Sequence, residues 1–186
     1  MKISIVLLTD EQLMEAVKGG NLQRASILFD RYHSRIFNFL AHLTMDRLMA
    51  EDLTQNDFLR LIKYRNSYRP GSKFMPWIYQ MARNVFTDHY QSTKNRKASF
   101  VDVKKVMDAM EEKEESRAQD EREALLHQSL AKLDAEQREL LLLTRFQHMK
   151  YEEVAELMNT TVANIKVKVH RAIVKLREYY FELEKI

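Results

Sequence analysis

The chain contains no cysteine among its 186 residues. That excludes a disulfide framework, a thiolate metal ligand and a cysteine nucleophile, and it suits a reducing compartment such as the cytoplasm. Glycine and proline are nearly as scarce, at 3 and 2, so turn formers and helix breakers are few. Neither a Gly-rich phosphate loop nor a nucleophile elbow is present. The six histidines, His33, His42, His89, His127, His148 and His170, show no ligand spacing such as His-x-x-x-His. An enzyme is therefore the weakest reading, and no metal and no cofactor are expected. The opening run of Ile3, Ile5, Val6, Leu7 and Leu8 is far shorter than the roughly 20 apolar residues that span a bilayer. Asp10-Glu11 follows where a signal cleavage site would be needed. The run is read as a packing or disordered lead-in, with no membrane insertion.

What is present is helical periodicity. Apolar residues recur three and four apart nearly throughout, and no strand pattern competes, which predicts an all-α protein. The length suits two small helical domains and a linker. Net charge is only +3, but it is unevenly spread. From Arg60 to Lys97, nine basic residues face a single acid, Asp88, and Tyr64, Tyr68, Phe74, Trp77, Tyr79, Phe86 and Tyr90 lie among them. Basic charge neutralises phosphate and aromatic faces accept unstacked bases, so the mixture fits nucleic acid whose strands are partly separated.

Thr9 and Gln12 form a capping-box pattern, so a first short helix through Leu13, Met14 and Val17 should stop at Gly19-Gly20, with Asn21 capping the next. Ala25, Leu28, Phe29, Tyr32, Ile36, Leu40 and Leu43 then share one face. Asp46 can cap a third helix that buries Ala50, Leu53, Phe58 and Leu61 and leaves Glu51, Asp52, Gln55 and Asn56 on its polar side. Tyr64 to Lys73 breaks the period at Pro70-Gly71, and Pro76 opens a fourth helix to about Lys94. There Ile78, Met81, Ala82, Val85 and His89 make the inward stripe. Tyr79, Arg83, Phe86, Tyr90 and Lys94 make a second stripe that favours an exposed face, with Tyr79 the residue expected to be buried. From Ser99 to Glu123 the chain turns acidic and reads as a solvated helix or linker.

In the last third, Asp134 should cap a helix through Leu140-Leu141-Leu142-Leu143 to Phe146. Tyr151 to Met158 forms a short helix, Asn159 suits a left-handed turn, and Thr161 can cap a final helix, which together make a helix-turn-helix. Val162, Ile165, Val169, Ala172 and Leu176 face its core. Ala163, Lys166, Val167, His170, Arg171 and Lys175 then point outward, as a helix that enters a major groove requires.

Both modules resemble one family, the extracytoplasmic function (group IV) sigma factors of bacterial RNA polymerase. The resemblance runs from Leu13 to Glu178 and rests on Ala50-Glu51-Asp52-Leu53-Thr54-Gln55, Phe58-Leu59-Arg60-Leu61, Pro76-Trp77-Ile78-Tyr79 and Ala82-Arg83-Asn84. In the second module it rests on Glu136-Gln137-Arg138-Glu139, Tyr151-Glu152-Glu153-Val154-Ala155-Glu156, Lys166 and His170-Arg171-Ala172. It implies a region 2 helical bundle over residues 1–97, an acidic linker over 98–123 threading toward the RNA exit channel, and a region 4 helix-turn-helix over 124–186. It also implies an initiation factor without catalysis of its own, which binds core RNA polymerase through its clamp helices and flap and opens promoter DNA. An anti-sigma factor is a further partner the resemblance leaves open.

By the same resemblance, Asp52, Gln55 and Asn56 would contact the polymerase. Arg65, Asn66, Tyr68, Lys73, Trp77, Arg83 and Asn84 would surround the −10 element, and Lys166, Val167, His170 and Arg171 would face −35 bases, with Lys168 nearer phosphate. Asp57, Asn159, Asp134, Val167 and Ile173 depart from the usual pattern. The last two remove polar groups, and each bidentate base contact discriminates by about 1–3 kcal/mol, so the preferred −35 sequence should change or reliance on it weaken. From the residues alone, a stand-alone dimeric helix-turn-helix regulator and an RNA-binding adaptor stay open beside the initiation factor. The aromatic set between Tyr64 and Tyr90 weighs against the first, because a duplex reader has no need of it.

Overall fold

The structure of the protein, a computed structural model, describes residues 8–96 and 117–185, and of residues 93–96 and 117–120 the backbone alone. The opening run before Leu8 and the acidic segment from Lys97 to Ser116 lie outside the described residues, as do the side chains of Lys94 and Arg96. Every regular element among the described residues is helical, as the periodicity predicts. The chain divides into two compact units, Met1–Leu40 with Leu48–Phe100 and Ala41–Arg47 with Val101–Ile186.

The first unit begins with α1 (Asp10–Lys18), entered through the expected capping box: Gln12 N–H donates to Thr9 Oγ1 at 3.2 Å and Thr9 N–H to Gln12 Oε1 at 3.0 Å. It ends where Gly20 takes φ +100° and Asn21 N–H reaches back to the Ala16 carbonyl. Asn21 does not cap α2 (Arg24–Thr44), because Leu22 and Gln23 make a further turn before that helix starts. Leu28, Tyr32, Ile36, Phe39 and Leu40 are buried along α2, and each such side chain contributes about 1.5–3 kcal/mol of transfer free energy. Phe29, expected on that inward face, stays 39% exposed, with its ring edge-on to Phe58.

Helix α3 (Arg47–Lys63) follows Asp46 directly and buries Ala50, Leu53, Phe58 and Leu61 as anticipated. It also buries Thr54 and Asp57. Thr54 satisfies its hydroxyl on the Ala50 carbonyl at 2.6 Å, whereas both carboxylate oxygens of Asp57 have no hydrogen-bond partner. A short 3₁₀ turn (Arg65–Ser67) and a loop lead to α4 (Phe74–Arg96), with Pro76 in its first turn, where a missing N–H costs nothing. Tyr79 is fully buried, edge-on to Phe39 of α2.

In the second unit α5 (Arg117–Lys132) begins within the stretch read as linker. Asp134 caps α6 (Ala135–Leu141) by accepting from Gln137 N–H at 2.8 Å. The expected continuous helix to Phe146 does not form, because Leu142–Phe146 is a single π turn closed by Gln147 N–H on the Leu142 carbonyl. The inserted residue shifts the helical register, and Leu140 to Leu143 all lie in the core. Then come α7 (Tyr151–Leu157) and α8 (Val162–Glu184), and α8 packs against α5, α6 and α7. Between them Asn159 has φ +50°, with Thr160 N–H on the Ala155 carbonyl at 2.8 Å and Asn159 N–H on Glu156 at 3.1 Å. This is the two-bond left-handed C-cap that the sequence pattern requires.

Candidate nucleic-acid interfaces

Burial of one face of α3 forces the opposite face outward. Asp52, Gln55 and Asn56 are exposed there, as expected. Leu48 (79% exposed) and Leu59 (68%) extend the same stripe, at spacings of four, three and four from Leu48 through Asp52 and Gln55 to Leu59. The sequence reading missed both leucines. The signal was their position off the inward period, since a leucine that cannot reach the core must face solvent or a partner.

A pocket of about 170 Å³ opens between the end of α3, the 3₁₀ turn and α4. Arg60, Tyr64 and Ser67 line one side; Trp77, Gln80, Met81 and Asn84 line the other. Of the seven residues expected around the −10 element, the pocket gathers Trp77 and Asn84. Asn66 and Lys73 are exposed on the loop but outside the lining, and Arg83 is half-buried on α4. Arg65 turns back instead, its Nη1 donating to the Ile62 carbonyl at 2.9 Å, so its charge complements the last turn of α3.

Tyr68 requires a correction. Its side chain is fully buried, edge-on to Trp77 with centroids 5.2 Å apart, and its hydroxyl donates to the Ser72 carbonyl. A ring in that position supports Trp77 and the loop, and it offers no face to a base. Burial, reinforced by the carboxylates of Glu11, Glu15 and Asp10, pushes its phenol up to about 12, so it stays a neutral donor. Helix α1 holds the same loop at both ends: Lys18 Nζ donates to the Tyr68 carbonyl at 2.6 Å, and Glu11 accepts from Phe74 N–H at 3.3 Å.

Residues missing from the sequence reading complete the pocket. Trp77, Gln80 and Asn84 recur three and four apart on the remaining face of α4, outside both stripes that periodicity marks. Gln80 Nε2 donates to Asn84 Oδ1 at 3.0 Å, which leaves Gln80 an acceptor and Asn84 donors for a base edge. Arg60, in the opposite wall, is held by Asp88 at 2.7 Å and Asn56 at 3.1 Å. The Arg60 and Asp88 side chains are 25% and 57% exposed, and ion pairs this open to water contribute at most about 1 kcal/mol. Orientation of the guanidinium, more than stability, is what the pair supplies.

In the second unit Thr161 Oγ1 caps α8 by accepting from Asn164 N–H at 3.2 Å. Ile165, Val169 and Ala172 are buried, so Ala163, Lys166, Val167, His170, Arg171 and Lys175 all stand exposed, as the helical period predicts. Lys168 differs. It is half-buried, and its ammonium lies 2.5 Å from Glu136 in the first turn of α6. Among the described residues no group of histidines and acids could hold a metal ion, and no helix is long and apolar enough to cross a membrane.

Comparison with known proteins follows the same two-part division. Residues 28–96 match sigma-70 region 2, and residues 123–176 match sigma-70 region 4. The chain is 30% identical over 154 residues to the extracytoplasmic function RNA polymerase sigma factor SigM of Bacillus subtilis, an alignment that covers 82% of this chain and 93% of that protein. It is 29% identical to the RNA polymerase sigma factor CarQ of Myxococcus xanthus, covering 92% and 97%. In fold it is similar to CnrH, solved with the cytosolic domain of CnrY, with a TM-score of 0.69, 20% identity and 91% and 95% coverage. It is also similar to sigma factor RpoE of Bartonella quintana, solved with the anti-sigma factor NepR, with a TM-score of 0.67, 22% identity and 83% and 94% coverage.

Proposed function

The chain belongs to the extracytoplasmic function family of RNA polymerase sigma factors, and from that premise we propose how its two units divide the work of transcription initiation. It is a group IV factor, working in the cytoplasm without catalysis of its own. Residues 1–97 dock on core polymerase and handle the −10 element, 98–123 link, and 124–186 read the −35 element. The pocket carries this reading, because Trp77 and Asn84 meet Arg60 and Tyr64 in a cleft suited to an unstacked base. A duplex-binding regulator would have no use for it.

Docking runs along α3 through Asp52, Gln55 and Asn56, with Leu48 and Leu59 supplying apolar contact at either end. Promoter contact begins with α8, where Lys166, Val167, His170 and Arg171 meet −35 bases. Capture of a base by the cleft then favours strand separation, because a flipped base cannot return to its stack, while Asn66, Lys73 and Arg83 attract the non-template strand. Arg65 and Tyr68 shape the loop without touching DNA. A protein inhibitor is a natural further partner, since RpoE of Bartonella quintana was solved with an anti-sigma factor.

Run-off transcription with core polymerase, with and without this protein, on a library of family-type promoters tests the reading. A transcript that needs both the protein and the promoter is expected. No promoter-dependent transcript from any of them would overturn it.

A further inference from the structure

Asp88 is the one acid in the basic stretch from Arg60 to Lys97, and it is bonded to a residue of the pocket wall. Arg60 Nη1 donates to Asp88 Oδ2 at 2.7 Å, and Arg60 Nε donates to Asn56 Oδ1 at 3.1 Å. Asn56 lies one helical turn before Arg60, on the exposed face of α3, while Asp88 comes from α4. Arg60 itself lines the pocket opposite Trp77 and Asn84. One guanidinium thus spans the docking face and the cleft, with its orientation set by one partner on each helix.

We propose that Asp88 is a positioning residue for strand capture: acting through Arg60, it holds the guanidinium in the pocket wall, and Asn56 ties that same group to the polymerase-docking face. The inference rests on the pocket's role in base capture. An arginine side chain has many rotamers, and fixing it before the base arrives removes that ordering cost from binding. The planar fork suits this use, because two donors can be spent on anchors while others remain for a base edge or phosphate. A lysine could not be held in the same way.

The test uses holoenzyme assembled from core polymerase and the full chain, with a fluorescent pool of single-stranded DNA 12-mers of random sequence as probe. Asp88→Asn, which removes the charge and keeps an acceptor oxygen, should weaken probe binding by up to about fivefold, the most that an ion pair this open to water supplies, with affinity for core polymerase and the unfolding midpoint unchanged. Arg60→Lys should lose a similar factor, and adding Asp88→Asn to it should cost nothing more. If the two losses multiply, or if Asp88→Asn binds as wild type, Asp88 does not act through Arg60 and the inference falls. Trp77→Ala separates this from the underlying reading. If it too leaves probe binding intact, the cleft captures no base and both fail; if it weakens binding while Asp88→Asn does not, only the positioning role fails.

Discussion

Lys18 Nζ lies 2.6 Å from the carbonyl oxygen of Tyr68, fifty residues further along the chain. A cation on α1 thereby fixes the loop that follows Ser67 of the pocket wall. Hydrogen bonds to charged groups contribute about 1.5–3 kcal/mol, so Lys18→Met should loosen the loop by about that much. Amide hydrogen exchange should quicken over residues 65–73, with polymerase affinity unaltered. Unchanged exchange there would mean that the bond holds nothing in place.

Trp77 and Arg171 serve different steps. Base stacking is worth about 1–3 kcal/mol per base, so Trp77→Ala should lower open-complex formation by roughly that amount and leave closed-complex affinity nearly intact. Arg171→Ala should do the reverse, weakening initial binding through the −35 element. Permanganate footprinting and gel-shift titration report the two steps separately. Equal effects of both substitutions on both steps would contradict the division of labour.

Asp57 gives a stability prediction. Burial holds its carboxyl well above the ordinary value of 3.8, with Arg60 partly opposing. The folded state therefore keeps a proton that the unfolded state releases, and above about pH 4 stability falls as pH rises toward the folded value. Asp57→Asn removes that dependence. It should match wild type near pH 4 and be more stable at pH 7, by about 1–3 kcal/mol for one buried unsatisfied group. Urea melts at the two pH values measure the difference, and an equal gap at both would exclude a titrating Asp57.

Lys168 is occupied by Glu136 at 2.5 Å. Glu136→Gln releases it to a phosphate, so the slope of log affinity against log salt should steepen by about 0.9, one further counterion released. An unchanged slope would leave Lys168 outside the DNA contact.

Most of the architecture is legible in the sequence, because its determinants are local. The Thr9 box, the Asp134 and Thr161 caps and the Asn159 turn each depend on residues within about five positions. Likewise the outward face of α8 follows from its period alone. The candidate site was less legible, since its relationships are long-range. Tyr68 looked like a ligand contact because an aromatic among cations suits both nucleic acid and a core, and only packing against Trp77 and the bond to Ser72 decide between them. Arg65 turns back to its own helix end for a similar reason, as an unmet carbonyl lies nearer than any phosphate. The π turn has no sequence signature beyond four consecutive leucines that all need burial.

The match to sigma-70 region 2 starts at residue 28, yet the two bonds that clasp the pocket loop come from Glu11 and Lys18. Homology and mechanics therefore draw the boundary of this domain in different places. A fragment trimmed to the matched residues would keep the docking stripe of α3 and every residue lining the cleft, but would lose the brace that shapes it. Chimeras that exchange region 2 between relatives should carry α1 along, because shape for the loop is inherited from a helix outside the match.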